Sequence, residues 1–176
     1  QATHEVSLRL EAGARHAIIG PNGAGKTTLF NLLAGELQPD AGSILLNGRN
    51  VTRASADARA RAGLARSFQR NNLFEPETVA LNLALADIAH TGAGWHIWRR
   101  LSQDRAQAAR IEGIAEQVGL ADRLQQPVRS LSYGARRQLE GGLALTGAPR
   151  VLLLDEPTAG MSPEETGRIL ALIDTL

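Results

Sequence analysis

Gly20-Pro21-Asn22-Gly23-Ala24-Gly25-Lys26-Thr27-Thr28 carries glycines, one lysine and two hydroxyls in the pattern G-x-x-x-x-G-K-[ST]. Each type has a chemical reason. Glycines let backbone N–H groups turn inward around phosphate oxygens, and a helix starting near Lys26 aims its positive end at them. Lys26 supplies a compact charge for the β- and γ-phosphates that an arginine fork would not fit. Of the 19 basic residues, 18 are arginine, and Lys26 is the exception. The pattern points to a nucleoside triphosphate, read as ATP, held by Gly20, Asn22, Gly23, Ala24, Gly25, Lys26, Thr27 and Thr28. The Thr27 hydroxyl is placed to ligate Mg²⁺.

A second acidic group stands at Asp155-Glu156, after the apolar run 151–154. In P-loop proteins such an aspartate holds the metal through water. The adjoining Glu156 then polarises the attacking water, a role worth roughly 10²–10⁴ in rate. The plainer alternative is a carboxylate pair decorating a strand end before the turn at Pro157.

These groups need a scaffold. Val6, Leu8 and Leu10 alternate with polar residues as in a half-buried strand, and residues 16–19 read as a short strand leading into the glycine-rich turn. A helix is expected over about residues 26–34, then a strand at 43–46 closed by Asn47-Gly48. From about residue 71 to 145 the chain turns alanine-, leucine- and arginine-rich with helical spacing. Ile111, Ile114, Ala115 and Val118 fall at i, i+3, i+4 and i+7, and Gly119 is placed to end that helix. Residues 151–154 read as a strand buried on both faces. Ser162-Pro163-Glu164-Glu165 opens a last helix, with Ile169, Leu172, Ile173 and Leu176 as its buried stripe. The expected class is α/β: a P-loop NTPase (RecA-like) core at 1–70 and 148–176, with a helical subdomain inserted at 71–147. Both ends look cut.

Composition narrows the function. The 176 residues suffice for one domain with a core, and the absence of cysteine excludes disulfides, thiolate metal sites and cysteine nucleophiles. A formal net charge of +1 argues against a nucleic-acid surface. No stretch reaches the roughly 18 apolar residues of a membrane span, and no signal-peptide pattern opens the chain. A cytoplasmic protein is expected.

Leu131-Ser132-Tyr133-Gly134-Ala135-Arg136-Arg137-Gln138 lies between the two motifs. With the loop at 20–28, the segment 63–69 and residues 151–157, it resembles the nucleotide-binding subunits of ABC transporters, in the right order over nearly the whole chain. The resemblance implies two such domains, alike or sister subunits, paired head to tail with ATP between one phosphate loop and the other chain's signature. Ser132 offers a hydroxyl and an N-cap, Gly134 permits close approach, and a helix N-terminus follows. The signature departs from the commonest form, LSGGQ, at Tyr133 and Ala135. Gln69 resembles the family's Q-loop glutamine, which senses Mg²⁺ and γ-phosphate. Residues 159–162 occupy the D-loop position, with Ser162 where aspartate is more frequent.

The details look most like ATPase subunits of branched-chain amino acid importers, with urea and lipopolysaccharide-exporting relatives close in pattern. That implies permease partners and a place on the cytoplasmic face of the membrane. A permease helix docks near the Q-loop in this family, for which residues 70–74 are candidates. Trp95, Trp98 and Leu101 sit a turn apart beside Arg99 and Arg100, either packing within the helical subdomain or facing membrane or permease. Two family parts have no counterpart, an adenine-stacking aromatic and a γ-phosphate histidine, so poor hydrolysis by this chain alone is expected. His4, His16, His90 and His96 all precede the acidic pair and read as surface or structural. A soluble DNA-repair or translation ATPase would bring coiled-coil insertions, metal-binding cysteines or tandem cassettes. A GTPase would need a second lysine for N-K-x-D, and a kinase leaves residues 131–138 unexplained.

Overall fold

The structure is a computed structural model that describes residues 3–66, 73–91, 105–155 and 163–175. It divides into two compact units, Gln1–Leu64 with Leu176 and Ala65–Thr175.

In the first unit, helix α1 spans Lys26–Ala34 and α2 spans Ala56–Arg61, with strands β1 (Leu45–Leu46) and β2 (Arg49–Asn50) between them. The strands form an antiparallel hairpin, Leu45 opposite Asn50 and Leu46 opposite Arg49. Asn47 and Gly48 both adopt positive φ, 50° and 76°, as a two-residue turn of the type that matches strand twist requires. Val51 N–H donating to Ile44 O at 2.9 Å carries the pairing one step further. The strand expected at 43–46 is therefore present in its second half.

The two N-terminal strands are not formed. Residues 3–20 carry neither helix nor strand. Val6, Leu8, Leu10 and Ile18 are exposed, and Ile19 is 92 % exposed. Alternation names a face, but a strand exists only through the ladder it shares with a neighbour. The described strands of this unit pair only with each other.

In the second unit, β3 (Leu64–Arg66, beginning at the unit boundary) pairs with β4 (Val151–Leu153). Helices α3 (Val79–Thr91), α4 (Arg105–Gln117), α5 (Tyr133–Leu145) and α6 (Pro163–Thr175) complete it. The core is helical: Val79 and Leu83 of α3, Ile111 and Ala115 of α4, and Ala135 and Leu139 of α5 close around Val118, Leu120, Val128 and Leu131. The expected face of α4 is the buried one, with Ile114 partly covered. Gly119 follows at φ 73°, and Leu120 N–H donates to Ala115 O at 2.7 Å to close the helix end. β4 is half-buried rather than buried on both faces, since its one strand neighbour among the described residues is β3. Helix α6 begins at Pro163 as expected, and Ile173 of its stripe is half-buried. The side chains of Ile169 and Leu172, and Leu176, lie outside the described residues.

One buried carboxylate ties α3 to α4. Asp87 accepts from Arg110 Nε at 3.0 Å and Nη2 at 2.8 Å, and from Gln107 Nε2 at 3.0 Å. The bond from Arg110 is the main reason its carboxyl lies below the usual aspartate range, against the opposing effect of burial. A depressed folded pKa means the stabilisation is complete above the unfolded value of about 3.9 and is lost as pH falls through the lower folded value. Asp87→Asn is expected to destabilise the helical unit by about 1–3 kcal/mol at neutral pH. The same substitution should flatten the acid limb of a urea-unfolding series below about pH 4. An unchanged acid limb would remove Asp87 as its source.

Candidate functional site

The loop of the first unit is built by its backbone. Gly25 sits at φ 86°, ψ 7° as the N-cap of α1, a left-handed conformation that side-chain-bearing residues resist. A glycine there brings no side-chain cap, and none is made. The first-turn N–H groups of α1 are thus not taken by a capping oxygen, and no acidic side chain stands in that turn. Lys26 is the first helical residue. Its Nζ donates to Gly20 O at 2.6 Å and to Pro21 O at 2.9 Å, so the ammonium lies across the mouth of the loop. Ala24 N–H donating to Pro21 O at 3.2 Å tightens the turn. Asn22, Gly23, Ala24 and Thr27 are exposed, while Gly20, Gly25 and Thr28 are half-buried. Helix pole, exposed hydroxyl and lysine ammonium meet within one turn, an arrangement suited to a polyphosphate.

The second unit holds the other candidates. Ser132 (φ −62°, ψ 163°) is the N-cap of α5, its Oγ accepting from Ala135 N–H at 3.2 Å. Gly134 is buried and Ser132 exposed. Tyr133, which follows the cap, is held by Arg137 one turn on: Nε and Nη2 donate to the phenolic oxygen at 3.1 and 2.9 Å, and the guanidinium lies 5.3 Å from the ring centroid. Arg137 Nη1 also donates to Glu140 Oε2 at 2.7 Å. Burial opposes the Arg137 charge, but the bonds to Tyr133 and Glu140 outweigh it and raise its pKa. Glu140 is 8 % exposed, and its Oε1 is buried with no hydrogen-bond partner among the described residues. In the first turn of α5, Arg136 donates to Glu75 Oε1 at 3.1 Å and to Arg129 O at 3.0 Å, and so joins the helix to the segment before α3. Phe74 in that segment is exposed, while Leu73 packs on the helical core.

Asp155 follows β4 and meets Arg66, the last residue of β3, at 3.4 Å, both side chains about one-tenth exposed. The structure therefore brings together the phosphate-loop residues in one unit, and Ser132 with Gly134 and Asp155 with Arg66 in the other. Glu156, Gln69, residues 70–72, Trp95, Trp98, Leu101 and residues 159–162 lie outside the described residues. Sequence reasoning passed over Arg66, Arg137 and Glu140. Arginine and glutamate at i, i+3 on α5 was the available signal for the latter pair. His4, His16 and His90 are exposed, in keeping with a surface reading. Among the described residues no helix is long and apolar enough to cross a membrane, and no cluster of three or more His, Cys, Asp or Glu is placed to hold a metal.

The glycine-rich loop before α1, the Ser132-capped α5 and Asp155 after β4 all lie within the stretch that matches a known family. The chain belongs to the ABC transporter family, whose model matches residues 3–159. It is 36 % identical over 180 residues to the high-affinity branched-chain amino acid transport ATP-binding protein BraF of Pseudomonas aeruginosa, and 37 % identical to LivG of Escherichia coli K12, which carries the same description. Both alignments cover 99 % of this chain and 71 % of the relative. Among solved structures, a nucleotide-free ABC-transporter cassette matches with a TM-score of 0.73 at 25 % identity, over 87 % of this chain. An ABC-transporter cassette in its ADP conformation matches at 0.76 and 26 %, over 88 %. The chain spans 62 % of each of those two structures. The fold is thus the P-loop NTPase fold of ABC cassettes, which agrees with the α/β class read from the sequence.

Proposed function

We propose that this chain is the ATP-binding and ATP-hydrolysing part of an ABC importer for branched-chain or other hydrophobic amino acids. The amino acid class is favoured by the descriptions of BraF and LivG as high-affinity branched-chain amino acid transport ATP-binding proteins. The observation that carries the nucleotide assignment is the uncapped α1 N-terminus with Lys26 Nζ across the loop at 20–25. Gly20, Asn22, Gly23, Ala24 and Gly25 would cradle the phosphates, with Thr27 and Thr28 at the helix start. Lys26 would leave its two backbone carbonyls for the β- and γ-phosphate oxygens.

Thr27, Gln69 and Asp155 offer hard oxygen donors, the kind Mg²⁺ takes. Held by these residues, Mg²⁺ would supply positive charge to offset that of the phosphates. Glu156 is assigned to polarise the attacking water, and Ser132 with Gly134 to meet the γ-phosphate held by a second ATPase subunit. Permease subunits on the membrane's cytoplasmic face are the remaining partners, reached through residues 70–74, and no nucleic acid is involved. In this reading residues 71–147 form the helical subdomain that carries the signature.

Lys26→Ala tests the nucleotide assignment. Its ATP affinity with magnesium present is expected to fall about 10–100-fold by calorimetry, the loss of one charged phosphate contact. Unaltered affinity would sink the assignment.

A further inference from the structure

We propose that Glu75 is a positioning residue for Ser132, acting through Arg136 and Arg129 to hold the signature end of α5 against the segment before α3. The inference rests on the reading above, in which Ser132 meets the γ-phosphate held by a second subunit. Three residues close a hydrogen-bonded ring around that end of the helix. Arg129 N–H donates to the main-chain oxygen of Glu75 at 2.9 Å, Arg136 Nη2 donates to Arg129 O at 3.0 Å, and Arg136 Nη1 returns to Glu75 Oε1 at 3.1 Å. Ser132 stands between Arg129 and Arg136 in the chain, so the ring grips it from both sides. Its anchor is firm. Buried Asn82 of α3 accepts from Phe74 N–H at 2.9 Å and donates to Phe74 O at 3.1 Å, which fixes the residue before Glu75 at both backbone groups. Every member lies in the second unit.

Ser132 has two tasks at this cap. Its Oγ accepts from Ala135 N–H at 3.2 Å, and the hydroxyl still has its proton to donate to a phosphate oxygen. Where that proton points depends on where the first turn of α5 sits, and a shift of about 1 Å is enough to break such a bond. Backbone bonds already strap residues 126–128 to the segment before α3: Val128 N–H to Glu77 O at 2.9 Å, and Val79 N–H to Gln126 O at 3.0 Å. The ring carries this strap past Ser132 to α5 itself. Charge alone would act the other way. The first turn of α5 has no acidic residue, and Arg136 adds a cation to a helix pole that attracts phosphate. As a mere charge, Glu75 would offset that attraction and weaken the closed dimer. As a positioning residue it strengthens it.

The test is the dissociation constant of the ATP-dependent dimer, measured by sedimentation in chains carrying Glu156→Gln, with thermal melts of the same samples. E75A opens the ring and is expected to weaken the dimer about fivefold, the effect of losing one partly exposed ion pair. E75Q loses the charge but keeps an acceptor oxygen for Arg136, and should stay within about twofold. R136M should weaken the dimer at least as much as E75A. Adding E75A to R136M should then cost less than about a further twofold, because both substitutions break the same ring. If E75A does not fold, E75S, too short to reach Arg136, carries the same expectation. A merely structural Glu75 would lower the melting temperature and leave the dimer as tight, which overturns the proposal. A tighter dimer in E75A, the sign of a charge effect, overturns it too. If chains with Glu75 intact form no ATP-dependent dimer, the reading of Ser132 falls and takes this one with it. A dimer that forms and is indifferent to E75A overturns this one alone.

Discussion

Arg59→Met is expected to lower the unfolding free energy of the first unit by about 3–4 kcal/mol, a larger loss than most single substitutions bring. Arg59 is fully buried, yet among the described residues its hydrogen-bond partners are backbone carbonyls. Its Nη1 donates to Leu32 O at 2.5 Å and to Leu33 O at 2.8 Å, in the last turn of α1. Nη2 reaches Thr52 O at 2.8 Å and Nε reaches Ala54 O at 3.2 Å. The first two carbonyls belong to the negative pole of α1, so a cation there is favourable as well as hydrogen-bonded. Burial pushes the guanidinium pKa down, but it starts so far above neutrality that the charge stays. Methionine would fill the space and leave up to four acceptors without their donor, each worth about 1 kcal/mol or more if water cannot reach it. The backbone beside it has no slack: a Cβ on Gly35, at φ 86°, would lie 3.0 Å from Arg59 Nε and 3.1 Å from Ala56 N. Lysine has one nitrogen for a fork that spans four oxygens, so Arg59→Lys should recover less than half the loss. Hydrogen exchange of residues 26–62 reads the effect locally, because each unit can open by its own free energy. Protection equal to that of the unsubstituted chain would show that the carbonyls find other donors.

What the sequence disclosed depends on whether the cause was local. The loop at 20–28 was legible because each requirement sits on its own residue: Gly25 takes the left-handed cap, and Lys26 starts the helix. Ser132 was legible for the same reason, since a cap bonds an amide three residues on. The α4 face was legible because four apolar positions repeat a helical period. Arg59 and Arg66 were not. Their partners lie up to 27 and 89 residues away, and an arginine among eighteen looks like any other until the fold delivers a carbonyl or a carboxylate to it. The alternation over residues 6–10 failed in the opposite sense: a local pattern was present, but the neighbour that turns a pattern into a strand was not among the described strands of its unit. Short-range chemistry writes itself into residue types; long-range pairing does not.

Glu156→Gln is expected to lower the single-turnover rate of phosphate release by about 10²–10⁴ while leaving ATP affinity within a few-fold. Glutamine preserves the length and shape of the side chain but offers an amide that cannot take a proton from water. If Glu156 acts on the attacking water, that loss falls on the chemical step alone, which separates it from Lys26→Ala, where affinity itself is lost. Single-turnover conditions, with protein in excess over ATP, keep slow release measurable and remove product dissociation from the rate. The same substitution bears on assembly. In the proposed scheme, ATP closes two subunits against each other through Ser132 and Gly134, and hydrolysis lets them part. A subunit that binds ATP but does not cleave it should therefore accumulate as an ATP-dependent dimer, read as a doubling of mass by light scattering. Adding Ser132→Ala to that variant should weaken the dimer, since the cap hydroxyl at the start of α5 is the group assigned to the partner's nucleotide. Full-rate release by Glu156→Gln would remove Glu156 as the base and move attention to another group near Asp155.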